Sequence, residues 1–325
     1  MGCAGWKYFG NDLIDIDEPL EVPAYLVDLL RQLTGEQGRV RNATSIFMDA
    51  GRGLRSVNSV DQIARFEYAA IRTSESIKAL LNTLREGVAE EQLERCFHGG
   101  GLPRSCHAMV SFGEKARRGL SSPSANRAVR GAAYTAAFGV EGALSCRAGM
   151  VVEGVVDLPA QLEEFYPSFA AHYFDIVSTW YEHVRVGVAA GDVVAAVERM
   201  RDARLMKFAV NPGHLIGLDE WVHSPFTPGS RIALASGMAL QMDIIPISQG
   251  PFCCANAEDG IALADETLRA EIRARYPAVA QRISARRTFM QESLGLRLDP
   301  SVMPLSNLAA WYPPFALDLS RALVS

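Results

Sequence analysis

Three motifs organise this chain: NPGHLIGLDEWVHSPF (residues 211–226), GMALQMDIIP (residues 237–246) and NAEDGIAL (residues 256–263). They carry His214 and His223 beside glycines, followed by Asp243 and Glu258 on strand-like apolar runs. An unpaired carboxylate in an apolar strand is costly, so Asp243 must meet a partner, and His214 is the nearest suitable one. Histidine titrates near neutral pH, so the motifs predict an acid/base site formed by His214, Asp243 and Glu258.

Composition excludes several classes of function. The chain has 325 residues, 49% hydrophobic and 21% charged, and a net charge of -5, which leaves no basic face for nucleic acid. No apolar run is long enough to span a membrane, and the first residues do not resemble a signal peptide. The six cysteines are scattered, and the adjacent Cys253 and Cys254 are poorly placed for a bridge. We therefore expect a cytoplasmic protein with reduced thiols, without nucleic-acid or membrane partners.

The N-terminal half divides into a small unit and a longer domain. Residues 1–57 are predicted to contain a short strand, an acidic loop (Asp15, Asp17, Glu18), a helix at 23–33 and a strand at 45–48. Ser59 can cap a long helix that ends near residue 85, and a shorter helix follows at 89–97. The Gly99–Gly101 run is read as a turn. Strands are expected at 107–112, 132–140 and 143–156, with a polar loop at 113–130.

The same pattern then repeats. Helices are predicted at 159–187 and 191–203, and strands at 206–209, 231–235, 239–245 and 260–264. The two helix junctions, LREGVAEEQLERC (84–96) and VRVGVAAGDVVAAVE (184–198), resemble each other. This repetition indicates two similar α+β halves packed around one site. Helices at 264–275 and 278–295 and a Pro-rich tail on the surface complete the prediction.

The duplicated halves and the motifs GHLIGLDEW, GMALQMD and AEDGIAL resemble the pita-bread fold shared by creatinase, prolidase, aminopeptidase P and methionine aminopeptidase. The resemblance covers residues 56–266 and, through the tail, most of the chain. It implies an α+β pita-bread domain at 58–325, preceded at 1–57 by part of a creatinase/prolidase-like N-terminal domain. Such proteins usually form homodimers, which the resemblance also implies here.

The resemblance places metal ligands only in the second half. Metallopeptidases of this fold hold two metal ions with two aspartates, one histidine and two glutamates. The histidine falls on His214 and the glutamates on Asp243 and Glu258, whereas Ala137 and either Leu144 or Cys146 stand where the aspartates belong. No aspartate occurs between Asp61 and Asp157. We expect no two-metal site and no cofactor, although one histidine and two carboxylates could hold a single zinc ion.

The chain also departs from creatinase, which works without metal and uses a histidine as general acid/base. That histidine falls on Leu120, and the first-half glutamate of creatinase falls near Cys146. A second peptidase histidine falls on Trp221, where His223, two residues further on, could substitute. Substrate and reaction therefore cannot be transferred directly from either group.

Candidate site residues extend beyond the central three. Cys146 could be a nucleophile or a core residue, and His107 could reach the cleft. Arg147 and Arg231 could bind a substrate carboxylate or pair with nearby glutamates. The predicted substrate-binding residues are His107, Cys146, Trp221, His223 and Arg231.

Three functional hypotheses remain open. The first is a metal-independent hydrolase or lyase that cleaves a C–N bond of a small amino-acid-like, guanidino or amidino substrate, with His214 as acid/base. The second is a catalytically inactive protein whose cleft binds a peptide or a partner. The third is an Xaa-Pro aminopeptidase with an altered site for one metal ion. Small molecules or short peptides are the expected ligands.

Overall fold

The computed structural model describes residues 1–5, 19–252 and 254–325, except the side chain of Arg118. The predicted acidic loop (Asp15, Asp17, Glu18) and Cys253 lie outside these residues. The described helices are α1 (Ala24–Thr34), α2 (Ser45–Met48), α3 (Val60–Thr83), α4 (Glu90–Glu94), α5 (Glu114–Arg118), α6 (Ala171–His183), α7 (Ala190–Met200), α8 (Glu266–Arg275) and α9 (Pro277–Thr288). No described helix is long and apolar enough to cross a membrane.

The strands form one large sheet and two small ones. They are β1 (Gly2–Cys3), β2 (Arg41–Asn42), β3 (Met109–Phe112), β4 (Ala133–Val140), β5 (Ala143–Met150), β6 (Met206–Phe208), β7 (His214–Leu215), β8 (Ala239–Met242), β9 (Pro246–Ser248), β10 (Asn256–Leu263) and β11 (Val302–Pro304). The large sheet has the order β3-β4-β5-β10-β8-β7, and β11 also pairs with β10. Strand β10 pairs with β5 through its first residues and with β8 through its later ones. It therefore joins the first-half strands of the large sheet to the second-half strands.

The two helix junctions have the same backbone geometry. Gly87 has a φ of 82° and Gly187 a φ of 88°, both in the left-handed region that favours glycine. The N–H of Gly87 donates to the carbonyl of Ala128, and that of Gly187 to the carbonyl of Leu234, each at 2.8 Å. The predicted pair of pseudo-symmetric α+β halves is therefore confirmed.

Helix α3 begins where the sequence predicts. Ser59 accepts from the N–H of Gln62, and the Gln62 side chain accepts from the N–H of Ser59, which satisfies two backbone donors at the helix start. Its buried face, which includes Phe66, Ile77 and Leu81, packs in a core formed with the first-half strands, α8 and α9. The helix supports the first-half sheet from one side and leaves the other side open.

Residues of β4 alternate between two environments. Phe138 and Val140 belong to the core beneath α3, whereas Ala137 packs with Met109 and Cys146 in a small separate cluster. Side chains on a strand alternate between the two faces of a sheet. The small cluster therefore marks the face turned away from α3, which is also the face that borders a cavity of about 780 Å³.

Several predicted elements are wrong. Residues 45–48 form helix α2 instead of a strand, because a short apolar run does not distinguish the two. The predicted strand at 231–235 is reduced to one bridge between Ala189 and Ala233. The predicted loop at 113–130 contains α5, the strand from Ala143 ends at Met150, and the helix predicted from residue 159 becomes α-helical only at Ala171.

The C-terminal tail is buried, contrary to the surface position that its prolines suggested. Val302 is fully buried in β11, which pairs with β10, and Tyr312 is fully buried further along. Proline limits hydrogen bonding by the backbone, but it does not prevent the apolar residues between prolines from packing in the core. The tail therefore forms part of the support beneath the strands that carry the site.

Candidate active site

His214 is held by its own backbone surroundings. Gly213, with a φ of 118°, precedes it, and a Cβ on Gly213 would lie 2.7 Å from the carbonyl oxygen of Gln241. The histidine is 1% exposed. Its Nδ1 lies 3.1 Å from the carbonyl oxygen of Leu215, which accepts a hydrogen bond from that nitrogen. Nε2 is therefore the ring nitrogen available to the carboxylates around it.

Three carboxylates surround this ring. Nε2 of His214 lies 3.3 Å from Oε1 of Glu220 and 3.9 Å from Oδ2 of Asp243, without the alignment of a full hydrogen bond. Gln241, which lies opposite His214 in the sheet, connects Glu258 to the cluster: its Nε2 donates to Oε1 of Glu258 at 3.2 Å. The structure thus brings together His214, Asp243 and Glu258, as the motifs predict.

Glu220 is the site residue that the sequence analysis missed. It lies in the loop after β7, which folds back so that the N–H of Leu215 donates to the carbonyl of His223 at 2.7 Å. The N–H of Val222 also donates to the carbonyl of Leu215, at 3.1 Å. This return brings residue 220 to face residue 214. The pair of acidic residues in GLDEW was the available signal, but only the loop geometry shows which one faces the histidine.

The neighbouring Asp219 connects the same loop to the N-terminal segment. Nη2 of Arg55 donates to Oδ2 of Asp219 at 2.7 Å, and the Asp219 side chain is 9% exposed. A Cβ on Gly217 would lie only 3.4 Å from Nη2 of Arg55, so the loop packs closely on this arginine. Arg55 therefore holds the loop that carries Glu220.

The clustered groups have shifted pKa values. Burial raises the pKa of Asp243 to about 6, although the charge of His214 opposes this shift. Burial, followed by the charges of Asp243 and Glu220, raises the pKa of Glu258 well above its usual value. Burial lowers the pKa of His214, but Glu220 and Asp243 outweigh it, so the net shift is upward. The pKa of Asp243 therefore lies in the range where acid/base catalysts operate, beside a histidine whose pKa is raised.

The cluster lies at one side of a cavity of about 780 Å³. Glu220, Asp243 and Glu258 contribute its acidic part, and alanine, leucine and isoleucine side chains contribute much of its apolar part. His107 and Trp221 also line it, in agreement with their predicted proximity to the site. Nε2 of His107 lies 2.8 Å from the carbonyl oxygen of Leu120, so this ring is anchored to the cavity wall.

Cys146 lines the cavity as a protonated thiol. It lies opposite Ala137 on β4 and opposite Glu258 on β10 in the register of the sheet. Burial and the negative charge of Glu258 raise the pKa of its thiol well above the usual value. A nucleophilic cysteine needs a lowered pKa, so this environment favours a role in forming the wall.

Three arginine and histidine candidates lie elsewhere. Arg231 is exposed and does not line the cavity, so its substrate contact stays a prediction. His223 stands behind Trp221, with 6.0 Å between ring centroids, and likewise does not line the cavity. Arg147 is fully buried and pairs with Asp259 at 2.7 Å, so it cannot receive a substrate carboxylate.

Comparisons with known proteins identify the fold. No protein-family profile matches the chain, and a search of curated proteins by sequence finds no match. Among solved structures, an Xaa-Pro dipeptidase from Bacillus anthracis superposes with a TM-score of 0.58 at 19% identity, over 71% of this chain and 64% of that one. The prolidase from Pyrococcus horikoshii OT3 gives 0.60 at 17% identity, over 75% and 69%. A variant of Escherichia coli aminopeptidase P in complex with substrate gives 0.55 at 18% identity, over 65% and 55%.

The chain has the pita-bread fold. The predicted α+β class and the structural resemblance to prolidase and aminopeptidase P are thereby confirmed. Sequence identity below 20% shows the pita-bread architecture alone. The division at residue 57, the dimer and the roles of the site residues remain predictions.

The two-metal site that the resemblance implies does not fit the residues present. Ala137 and either Leu144 or Cys146 stand where the resemblance places the two aspartates. All three line the cavity, and none supplies a carboxylate. Two neighbouring divalent ions require several anionic oxygen ligands. A single ion does fit the donor set, because one ligand atom each from His214, Asp243 and Glu258 lie within 4.8 Å of one another.

Proposed function

We infer that this protein is a hydrolase that cleaves a C–N bond of a small cationic molecule or short peptide, with His214 as the proton-transfer group. One observation supports the proposal: near His214, the cavity is lined by buried oxygen atoms that accept no hydrogen bond from the described residues. Oδ1 of Asp243 and Oδ1 of Asn256 both belong to cavity-lining residues and have no hydrogen-bond partner among the described residues. A ligand that brings N–H donors would satisfy them, because unpaired buried acceptors are costly.

The acidic groups favour a positively charged nitrogen over a neutral one. Glu220, Asp243 and Glu258 line the same part of the cavity, and no lysine among the described residues lines it. Among the described side chains of the lining, the only arginine is Arg117, which is exposed and donates to the carbonyl of Pro251. An ammonium or guanidinium group placed among the three carboxylates would neutralise them and form charge-assisted hydrogen bonds. Glu258 would bind this nitrogen, since burial and then the charges of Asp243 and Glu220 raise its pKa well above the usual value, and a cation beside it would offset that cost.

His214 is suited to move the proton that C–N cleavage requires. Hydrolysis places the hydroxyl of a water molecule on the carbon and a proton on the leaving nitrogen. Nε2 of His214 is the ring atom directed towards Glu220 and Asp243, the two carboxylates that connect it to the cavity. The Leu215 carbonyl fixes the ring by accepting from Nδ1, so the ring does not need to reorient during transfer. Glu220 and Asp243 stabilise the protonated form before the transfer.

The test combines a ligand screen with substitution of His214. Small amines, guanidino compounds and Xaa-Pro dipeptides are screened by thermal shift, and stabilising compounds are assayed for turnover. We expect His214→Ala to abolish turnover and leave the thermal midpoint and the fold intact. His223→Ala is the control, because the carboxylate that acts on that ring is Asp49, which does not belong to the site. Unchanged turnover in His214→Ala would contradict the proposal, and ligand binding without turnover in the parent protein would favour a binding function.

A second candidate function, a peptidase with one metal ion, is favoured by the convergence of His214, Asp243 and Glu258 within 4.8 Å. A bound ion would supply Lewis-acid activation of a carbonyl group. In that case the contact from the Leu215 carbonyl to Nδ1 would orient Nε2 as the ligand atom. Elemental analysis of the purified protein and activity after treatment with a chelator separate the two candidates. A metal-free, active preparation excludes the metallopeptidase.

A further inference from the structure

A second cavity, of about 450 Å³, lies between α8, α9 and residues 300–303. It shares no lining residue with the first cavity. Its polar side chains are all hydrogen-bond donors or can act as donors: Arg269, Arg273, Arg287, Gln281 and Ser284. No aspartate or glutamate lines it. The first cavity is lined by carboxylates and the second by arginines. The second cavity is therefore suited to a negatively charged ligand.

Arg287 is fixed in place without being neutralised. Its Nη1 donates to the carbonyl of Asp299 at 2.9 Å and to the carbonyl of Val302, and its Nη2 donates to the carbonyl of Leu298. No carboxylate oxygen of a described residue lies within ion-pair distance of it. Burial, together with the charge of Arg269, lowers the pKa of Arg287, so its positive charge is stabilised less than usual. An anion in the cavity would relieve this cost.

The other two arginines are only partly compensated. Arg269 donates to the carbonyls of Ala264 and Pro300 at 2.8 and 3.0 Å, and its Nη2 pairs with Glu266 at 2.7 Å. Arg273 pairs with the same Glu266, so one exposed carboxylate serves two guanidinium groups. The nearby Asp299 carboxylate accepts from the N–H and hydroxyl of Ser301 instead. Positive charge therefore remains facing the cavity.

We propose that this cavity binds a small dianion, a phosphate or phosphate monoester, between Arg269, Arg273 and Arg287. Guanidinium groups match phosphate oxygens in pairs of parallel hydrogen bonds, and backbone carbonyls already hold two of the three arginines in position. Preorganisation of this kind reduces the ordering cost of binding. Ile272 and Met303 line the same cavity and offer apolar surface to the body of a monoester. This site is independent of the proposed hydrolase reaction.

The experiment measures binding of inorganic phosphate by isothermal titration calorimetry, with chloride at matched ionic strength as the reference. Arg273→Gln removes one guanidinium that makes no backbone contact among the described hydrogen bonds, so it is expected to fold. Arg287→Gln removes the central group. We expect each variant to bind phosphate about tenfold more weakly, the usual effect of losing a charge-assisted hydrogen bond. Arg204→Gln is the matched control, because it removes an equal charge from a side chain that is 89% exposed elsewhere.

The outcomes separate the alternatives. Saturable binding that falls in Arg273→Gln but not in Arg204→Gln supports the site even if Arg287→Gln does not fold. The same substitutions are tested by sedimentation with vesicles of phosphatidylcholine and phosphatidic acid. Vesicle binding weakened by Arg273→Gln, without binding of free phosphate, assigns the same chemistry to a lipid headgroup. Absence of both, or equal binding by the parent protein and Arg273→Gln, overturns the proposal.

Discussion

Oε1 of Glu220 lies 3.3 Å from Nε2 of His214, closer than Oδ2 of Asp243 at 3.9 Å. The nearest acidic partner of the candidate catalytic histidine is therefore a loop residue and not the strand residue that the motifs pointed to. The position of this loop is fixed in part by Arg55, which forms an ion pair with Asp219, the residue before Glu220. The loop that carries Glu220 is thus held by a contact from the N-terminal segment.

Glu220→Gln should lower the pKa of His214, because Glu220 makes the largest contribution that raises it. A histidine that acts as an acid loses activity as the pH rises through its pKa. The alkaline decline of turnover should therefore move to lower pH, and turnover near neutral pH should fall by roughly tenfold, or about 1.4 kcal/mol. NMR titration of the ring and a pH–rate profile measure both effects. An unchanged profile, with Glu182→Gln as the surface control, would contradict this role.

Glu258→Gln should stabilise the protein at high pH more than at low pH. The folded pKa of Glu258 is raised by burial, so the folded state holds a proton that the unfolded state has already released. The stability of the parent protein therefore falls as the pH rises from the unfolded pKa towards the folded one. We expect a gain of roughly 1–3 kcal/mol in the free energy of unfolding at about pH 8, and little gain at about pH 5. Urea denaturation at the two pH values tests this, and an equal gain at both would argue against a buried ionisable group.

Arg55→Ala should loosen the loop of residues 217–221 without unfolding the domain. The substitution leaves Asp219, 9% exposed, without its ion-pair partner, at a cost of about 1–3 kcal/mol. Hydrogen exchange at the loop amides should increase, whereas exchange in β8 and β10 should not. Arg31→Ala is the matched control, since its pair with Asp28 is largely exposed on α1. Uniform exchange changes across the sheet would show that Arg55 acts on the whole fold.

Restoring the missing carboxylates tests the interpretation of the first-half strands. Ala137 and Cys146 lie opposite each other on β4 and β5, and Cys146 lies opposite Glu258 on β10. The double variant Ala137→Asp/Cys146→Asp should be less stable without metal, because it buries further negative charge. Mn²⁺ at about a hundred times its dissociation constant should restore about 3 kcal/mol. Addition of His214→Ala should remove this gain, and a metal effect that survives it would place the ion elsewhere.

Local features of the sequence determined much of the fold. Ser59 and Gln62 define the start of α3, and Gly87 and Gly187 mark the duplicated junctions because each requires a positive φ. The order of the three second-half motifs led to the pita-bread fold and to the grouping of His214, Asp243 and Glu258. The absence of aspartate from residues 62–156 excluded a two-metal site before any distance was known.

Only the tertiary structure decided which other side chains join that group. Glu220 reaches His214 because its loop folds back, and Arg147 is removed from the cavity by its buried pair with Asp259. The composition of the tail did not show that Tyr312 is buried in the core. Periodicity and caps act over a few neighbouring residues, so the sequence by itself determined the helices and the glycine turns. The residue types alone showed that the two aspartate ligands are missing. Contacts across strands and loops depend on register and packing, and these arise only when the two halves fold against each other.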